Sequence, residues 1–146
     1  MRRACVVGLV LLSLAPLGCA RGRKSSAGFR LPDGDPVRGK AVFVANRCNA
    51  CHTVAGESLP APVAQPPVPV ELGGRVAVAV TDGELVTSIV YPSHRLAGWV
   101  RPAEVRSGEL SRMGDFTEAM SVRDLIDLVA YLQSRYTVVP PAYHRW

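Results

Sequence analysis

The residues best equipped for chemistry lie in Arg47 to Glu57, "RCNACHTVAGE", where Cys48 and Cys51 enclose two residues and His52 follows directly. Two thiols so spaced in a turn can each add to one of the two vinyl groups of a haem, with the adjoining histidine placed under the ring to ligate the iron. A zinc half-site or a redox dithiol would use the same residues. A structural zinc site, however, wants four nitrogen or sulfur ligands, and no second cysteine pair remains to complete it. A thioredoxin-like dithiol wants a βαβ setting, which the sequence does not offer. One covalent haem c on Cys48 and Cys51, with His52 on the iron, is therefore the expected cofactor.

If one nitrogen of His52 meets iron, the other should donate to a carbonyl or carboxylate that fixes tautomer and orientation. The proline-rich run Leu59 to Pro69, "LPAPVAQPPVP", supplies carbonyls without helical partners, and Pro66, Pro67 or Pro69 would stiffen such an acceptor. The opposite face of the iron takes methionine or histidine in haem proteins of this kind. The candidates are Met113, Met120, His94 and His144. Met113, in "SRMGDF", has no periodic role and is the expected ligand. Met120 directly precedes a helix cap and serves equally well as a hydrophobic staple onto Leu125, so it stands as the alternative. His94 reads as a surface residue, and His144 sits in a C-terminal tail.

Positioning these groups falls to three helices. In "DPVRGKAVFVANRC", Asp35 is a good N-cap and Pro36 fits the first helical position, where its missing N–H is no loss. Gly39 inside that helix costs about 1 kcal/mol against alanine and calls for a packing reason. "TDGELVTSIVYP" carries a cap at Thr81, Glu84 three residues on and a stop at Pro92, which predicts a helix over Asp82 to Tyr91. In "SVRDLIDLVAYLQSRY", Ser121 and Asp124 make a capping box, and Val122, Leu125, Ile126, Val129, Leu132 and Tyr136 recur at helical spacing. "VAVAV", Val76 to Val80, has strand flavour but no evident partner and reads as extended backbone. With five prolines between Leu59 and Pro69 excluding regular structure there, the chain reads as all-α, with helices and long loops.

The first residues have the layout of a secretory signal: Arg2 and Arg3, an apolar run from Ala4 to Leu14, then small residues up to Cys19. That run is shorter than the roughly 20 residues of a membrane span. "PLGC", Pro16 to Cys19, resembles the lipobox of bacterial lipoproteins, which implies a lipid on Cys19 and attachment to a membrane on the periplasmic side, with the outer membrane favoured. Cleavage after Gly18 or Ala20 instead would leave a soluble periplasmic protein. The expected organisation is a signal peptide over 1–18, a lipidated N-terminus and tether over 19–33, a domain over 34–138 and a tail over 139–146. With Cys5 removed and Cys19 lipidated, Cys48 and Cys51 have no disulfide partner elsewhere. Six of the 17 basic residues precede Asp33, leaving 11 against 12 acidic ones. The net charge of +5 thus belongs to the ends removed or tethered, and a nucleic-acid partner is not expected.

"GKAVFVANRCNACHTVAG", "LGGR", "SIVYPSHRL", "RMGDF" and "IDLVAYLQSRY" together resemble the class I c-type cytochromes over Gly34 to Tyr136. The resemblance implies a cytochrome c-like fold wrapped round the haem, with the first and last helices crossing closely at Gly39 and Phe43 against Leu128 and Tyr131. It also places Arg75 and Trp99 near the haem propionates. Where the family has Met-Pro-x-Phe, this chain has Gly114 for the proline and keeps Phe116. The implied role is that of a one-electron carrier, not an enzyme, between exported or membrane-bound redox proteins. The alternatives are a haem subunit of a respiratory or sulfur-oxidising complex, or a sensor or peroxidase with a labile distal ligand.

Overall fold

A computed structural model describes residues 29–61, 69–96 and 101–139. The expected signal peptide, Cys19, most of the tether, Pro66, Pro67, Trp99, His144 and all but Val139 of the tail lie outside the described residues.

Helix α1 (Pro36–Ala45) begins as its sequence predicts, with the Asp35 carboxylate accepting from the N–H groups of Val37 and Arg38. A 3-10 turn (Cys48–Ala50) leads into strand β1 (His52–Val54), followed by β2 (Val70–Leu72) and β3 (Gly74–Val76). Helix α2 (Asp82–Val90) carries the full Thr81/Glu84 capping box, and a second 3-10 turn (Pro92–His94) closes it. The four-residue α3 (Pro102–Val105) precedes a hairpin of β4 (Arg106–Ser107) and β5 (Leu110–Ser111). Helix α4 (Val122–Gln133) has the Ser121/Asp124 capping box, and β6 (Tyr136–Val138) follows it.

The fold is all-α in its framework, as expected of a cytochrome c-like domain, with long loops between helices. Among the described residues the strands are two or three residues long and pair only as two-stranded ribbons. One of them corrects the reading of "VAVAV": Val76 does have a partner, because β3 pairs in parallel with β6 and sets Val76 beside Val138. Tyr136 likewise belongs to β6, not to the face of α4. The helix ends at Ser134, whose hydroxyl donates to the Tyr131 carbonyl at 2.6 Å. Val122, counted on the apolar stripe of α4, is 74 % exposed.

The crossing of α1 on α4 is the centre of the structure. A Cβ on Gly39 would stand 1.9 Å from the Asp127 carbonyl oxygen and 2.7 Å from Tyr131 Cβ, so only glycine permits this approach. Beside it Phe43 meets Tyr131 edge to face, with ring centroids 5.8 Å apart. Leu128, Val129 and Leu132 of α4 complete the core with Leu85 and Ile89 of α2. Gln133 fixes α2 to α4, donating to Val80 O and Asp82 Oδ1 at 2.9 Å each. No helix among the described residues is long and apolar enough to cross a membrane.

Candidate functional site

Arg47 takes a left-handed conformation, φ 57°, and swings the chain out of α1 into the turn that carries the first cysteine. Cys51 N–H donates to Cys48 O at 3.1 Å, which closes that turn and presents both thiols from one short segment. Both are free; Cys48 is half-buried against the core and Cys51 is exposed. Burial, with the neighbouring Cys51 adding, pushes the Cys48 thiol up to about 11 against the smaller opposing effect of a backbone hydrogen bond.

His52 opens β1, which pairs in parallel with β2 in a register that sets His52 beside Val70. Val70 N–H donates to Cys51 O at 2.9 Å, and His52 Nδ1 lies 3.2 Å from Val70 O. A carbonyl only accepts, so Nδ1 carries the proton and Nε2 keeps its lone pair. Burial lowers the pKa of this imidazole, opposed by the Val70 carbonyl, and the neutral ring is the form that ligates metals. The acceptor sits one residue beyond Pro69, at the end of the proline-rich run and not within it.

His52, Cys48 and Leu72 form one part of the wall of a cavity. Phe43, Ile89, Leu128 and Leu132 of the core form another, so the site and the core share residues. Met113, Phe116 and Met120 supply the rest. Both methionines therefore reach the cavity that His52 lines. Among the described residues, carbon and sulfur surround it, with the imidazole as the one nitrogen donor and no carboxylate or cation on the wall. Such a lining suits an aromatic macrocycle with a soft metal at its centre and disfavours a hydrated ion. Among the described residues no three His, Cys, Asp or Glu side chains gather as a metal site.

The segment bearing Met113 is held by its backbone. Ser111 N–H donates to Ser93 Oγ at 3.0 Å, Arg112 N–H to Val105 O at 2.8 Å and Met113 N–H to Ser111 Oγ at 3.1 Å. Gly114, where the family motif has proline, is exposed, and a Cβ there would meet nothing within 4 Å among the described residues. Asp115 accepts from Thr117 N–H at 2.8 Å and from its hydroxyl at 2.7 Å, a local turn from Asp115 to Thr117. Those bonds hold the Asp115 carboxyl below its ordinary pKa.

Arg75 is exposed on β3 and does not line the cavity. His94 is exposed beside Tyr91, the two rings 5.7 Å apart, also away from the wall. One participant escaped the sequence. The Val70 carbonyl was hidden because a three-residue strand carries almost no pattern.

A family model described as cytochrome c matches residues 36–135. Neither curated proteins nor solved structures gave a match.

Proposed function

The chain belongs to the cytochrome c family, with one covalent haem c as its cofactor and haem-based electron transfer as its role, and from that premise we propose a class I monohaem relay with His52 and Met113 as axial ligands. The observation that carries this reading is the His52 to Val70 hydrogen bond at the edge of an apolar cavity that Cys48 and Met113 also line. Bound through thioethers to Cys48 and Cys51, the haem supplies an iron that accepts and returns one electron.

The residues of the chain do the rest. Val70 holds the imidazole with Nε2 available, and a thioether opposite histidine favours the reduced state and raises the potential. Met120 is bound to the start of α4 and packs on the core with Leu125, which suits it to cover the macrocycle while Met113 takes the iron. Phe43, Ile89 and Leu128 line the site with apolar side chains, which supports a small solvent reorganisation when charge moves.

The near balance of 11 basic and 12 acidic residues from Asp33 onward supports docking through apolar contact at an exposed cofactor edge, with little long-range steering. The partners are redox proteins. We place the protein on the periplasmic side, tethered through a lipid on Cys19, and the motif "PLGC" supports this.

Met113→Ala in the holoprotein tests the ligand. The far-red ferric absorption band that marks methionine on haem iron should be present in the parent and vanish in this variant, while Met120→Ala keeps it. Loss of the band in Met120→Ala alone would transfer the role to Met120. A high-spin parent whose reduced form binds CO would favour the sensor or peroxidase reading instead.

A further inference from the structure

Glu57 lies in the turn directly after β1, where its N–H donates to Val54 O at 3.0 Å. Its carboxylate is used from both sides. Oε2 accepts from Lys40 Nζ of α1, and Oε1 accepts from Arg135 Nη1, just beyond α4. The Glu57 side chain is only 12 % exposed, so this is a sheltered network between three elements and not a loose surface pair. Arg135 is itself restrained: its Nε donates to Ser134 Oγ at 3.0 Å, and its guanidinium carbon sits 5.7 Å from the Tyr131 ring centroid. Its carbonyl accepts from Gly74 N–H at 2.9 Å.

The ribbon between Glu57 and the site is short. Beyond the paired residues of β1 and β2, Val70 N–H reaches Cys51 O at one end, and Ala55 N–H reaches Leu72 O at 2.8 Å at the other. Only three residue pairs separate the Glu57 end of the ribbon from the far side of the His52 and Val70 pair.

We propose that Glu57 is a positioning residue for His52, anchoring the ribbon that carries the histidine to both crossing helices at once. The inference rests on the reading of His52 as an iron ligand. The charged and titratable groups facing the carboxylate are Lys40 from α1, with Arg135 and the Tyr131 phenol from the α4 side. The Lys40 hydrogen bond is the largest cause holding Glu57 below its ordinary 4.5, with Arg135 acting in the same direction. Burial and the Glu57 charge together raise the Tyr131 phenol.

The sign of the pH effect follows. A carboxyl with a depressed folded-state pKa keeps its network above 4.5 and loses it as pH falls through the lower folded value.

The test uses the ferric holoprotein and proton NMR of the haem methyl groups, whose spread reports the orientation of the axial imidazole. In the parent the spread should change in one step below pH 4.5. Glu57→Gln should show an altered spread already at neutral pH and lack that step, although its propionates titrate as before. Lys40→Gln, a substitution at the rim, should give a smaller change that is not additive with Glu57→Gln. A neutral-pH spread identical to the parent in both variants, with only the denaturation midpoint lowered, would overturn the proposal by showing a structural role alone. Failure of the His52 assignment is seen separately, as a parent ferric electron paramagnetic resonance spectrum without imidazole ligation.

Discussion

Gly39 and Asp127 set how closely the crossing helices approach. The Asp127 carboxylate accepts from Asp35 N–H at 2.8 Å, has the Arg38 guanidinium 2.8 Å away and Arg123 at 4.0 Å. One buried charge thereby ties the cap of α1 to the middle of α4, and its partners reach it from the rim, where Arg38 is 56 % exposed. The carbonyl of the same residue occupies the space that a side chain on Gly39 would need. Gly39→Ala must drive backbone from backbone and should cost about 3 kcal/mol of stability in urea titrations of the holoprotein. Half of this arrangement was legible beforehand: a glycine inside a good helix asks for a close neighbour, and family resemblance named the opposing residues. Asp127 was not legible, because a carboxylate inside "LIDLV" looks solvated until the chain brings Arg38 and Asp35 to it.

Among the elements, the helices announce themselves through their ends. The capping boxes at Thr81/Glu84 and Ser121/Asp124 both form, since each pairs a local side chain with a local N–H and needs nothing from the rest of the fold. Ser121→Ala should cost about 1 kcal/mol and speed hydrogen exchange in the first turn of α4 while leaving later turns protected. The ribbons behave otherwise. Strands of two or three residues have no readable alternation, and the β3 pairing with β6 depends on where α4 delivers Tyr136. Gly73 and Gly74, with φ of 83° and 79°, make the bend that separates β2 from β3, and Gly73 lies against Arg135. The motif "LGGR" carried part of the family resemblance and revealed neither that bend nor its neighbour. For the same reason the acceptor for His52 was sought within the proline-rich run, whereas it is Val70 just beyond it, a residue that only the register of β1 on β2 names.

At the scale of the whole molecule, core and candidate site are one region, because Phe43, Ile89, Leu128 and Leu132 belong to both. On the proposed reading the haem would form a structural part of the interior. A Cys48→Ala, Cys51→Ala double variant prepared without haem should lose its sharp thermal transition and bind a hydrophobic dye, as expected of a chain whose core has been hollowed. The haem cofactor of the family was legible in the pattern of five consecutive residues. Its setting was not, since it requires segments from Phe43 to Leu132 to converge. The clasp between Asp35 and Asp127 spans 92 residues of sequence. Contacts of such range form slowly, because a long loop must close before they reward it. During synthesis from the N-terminus, Cys48, Cys51 and His52 emerge well before α4 exists to close over them. The thiols therefore pass through a stage of open chain in which a bulky macrocycle could be delivered, before the last helix arrives to close the cavity.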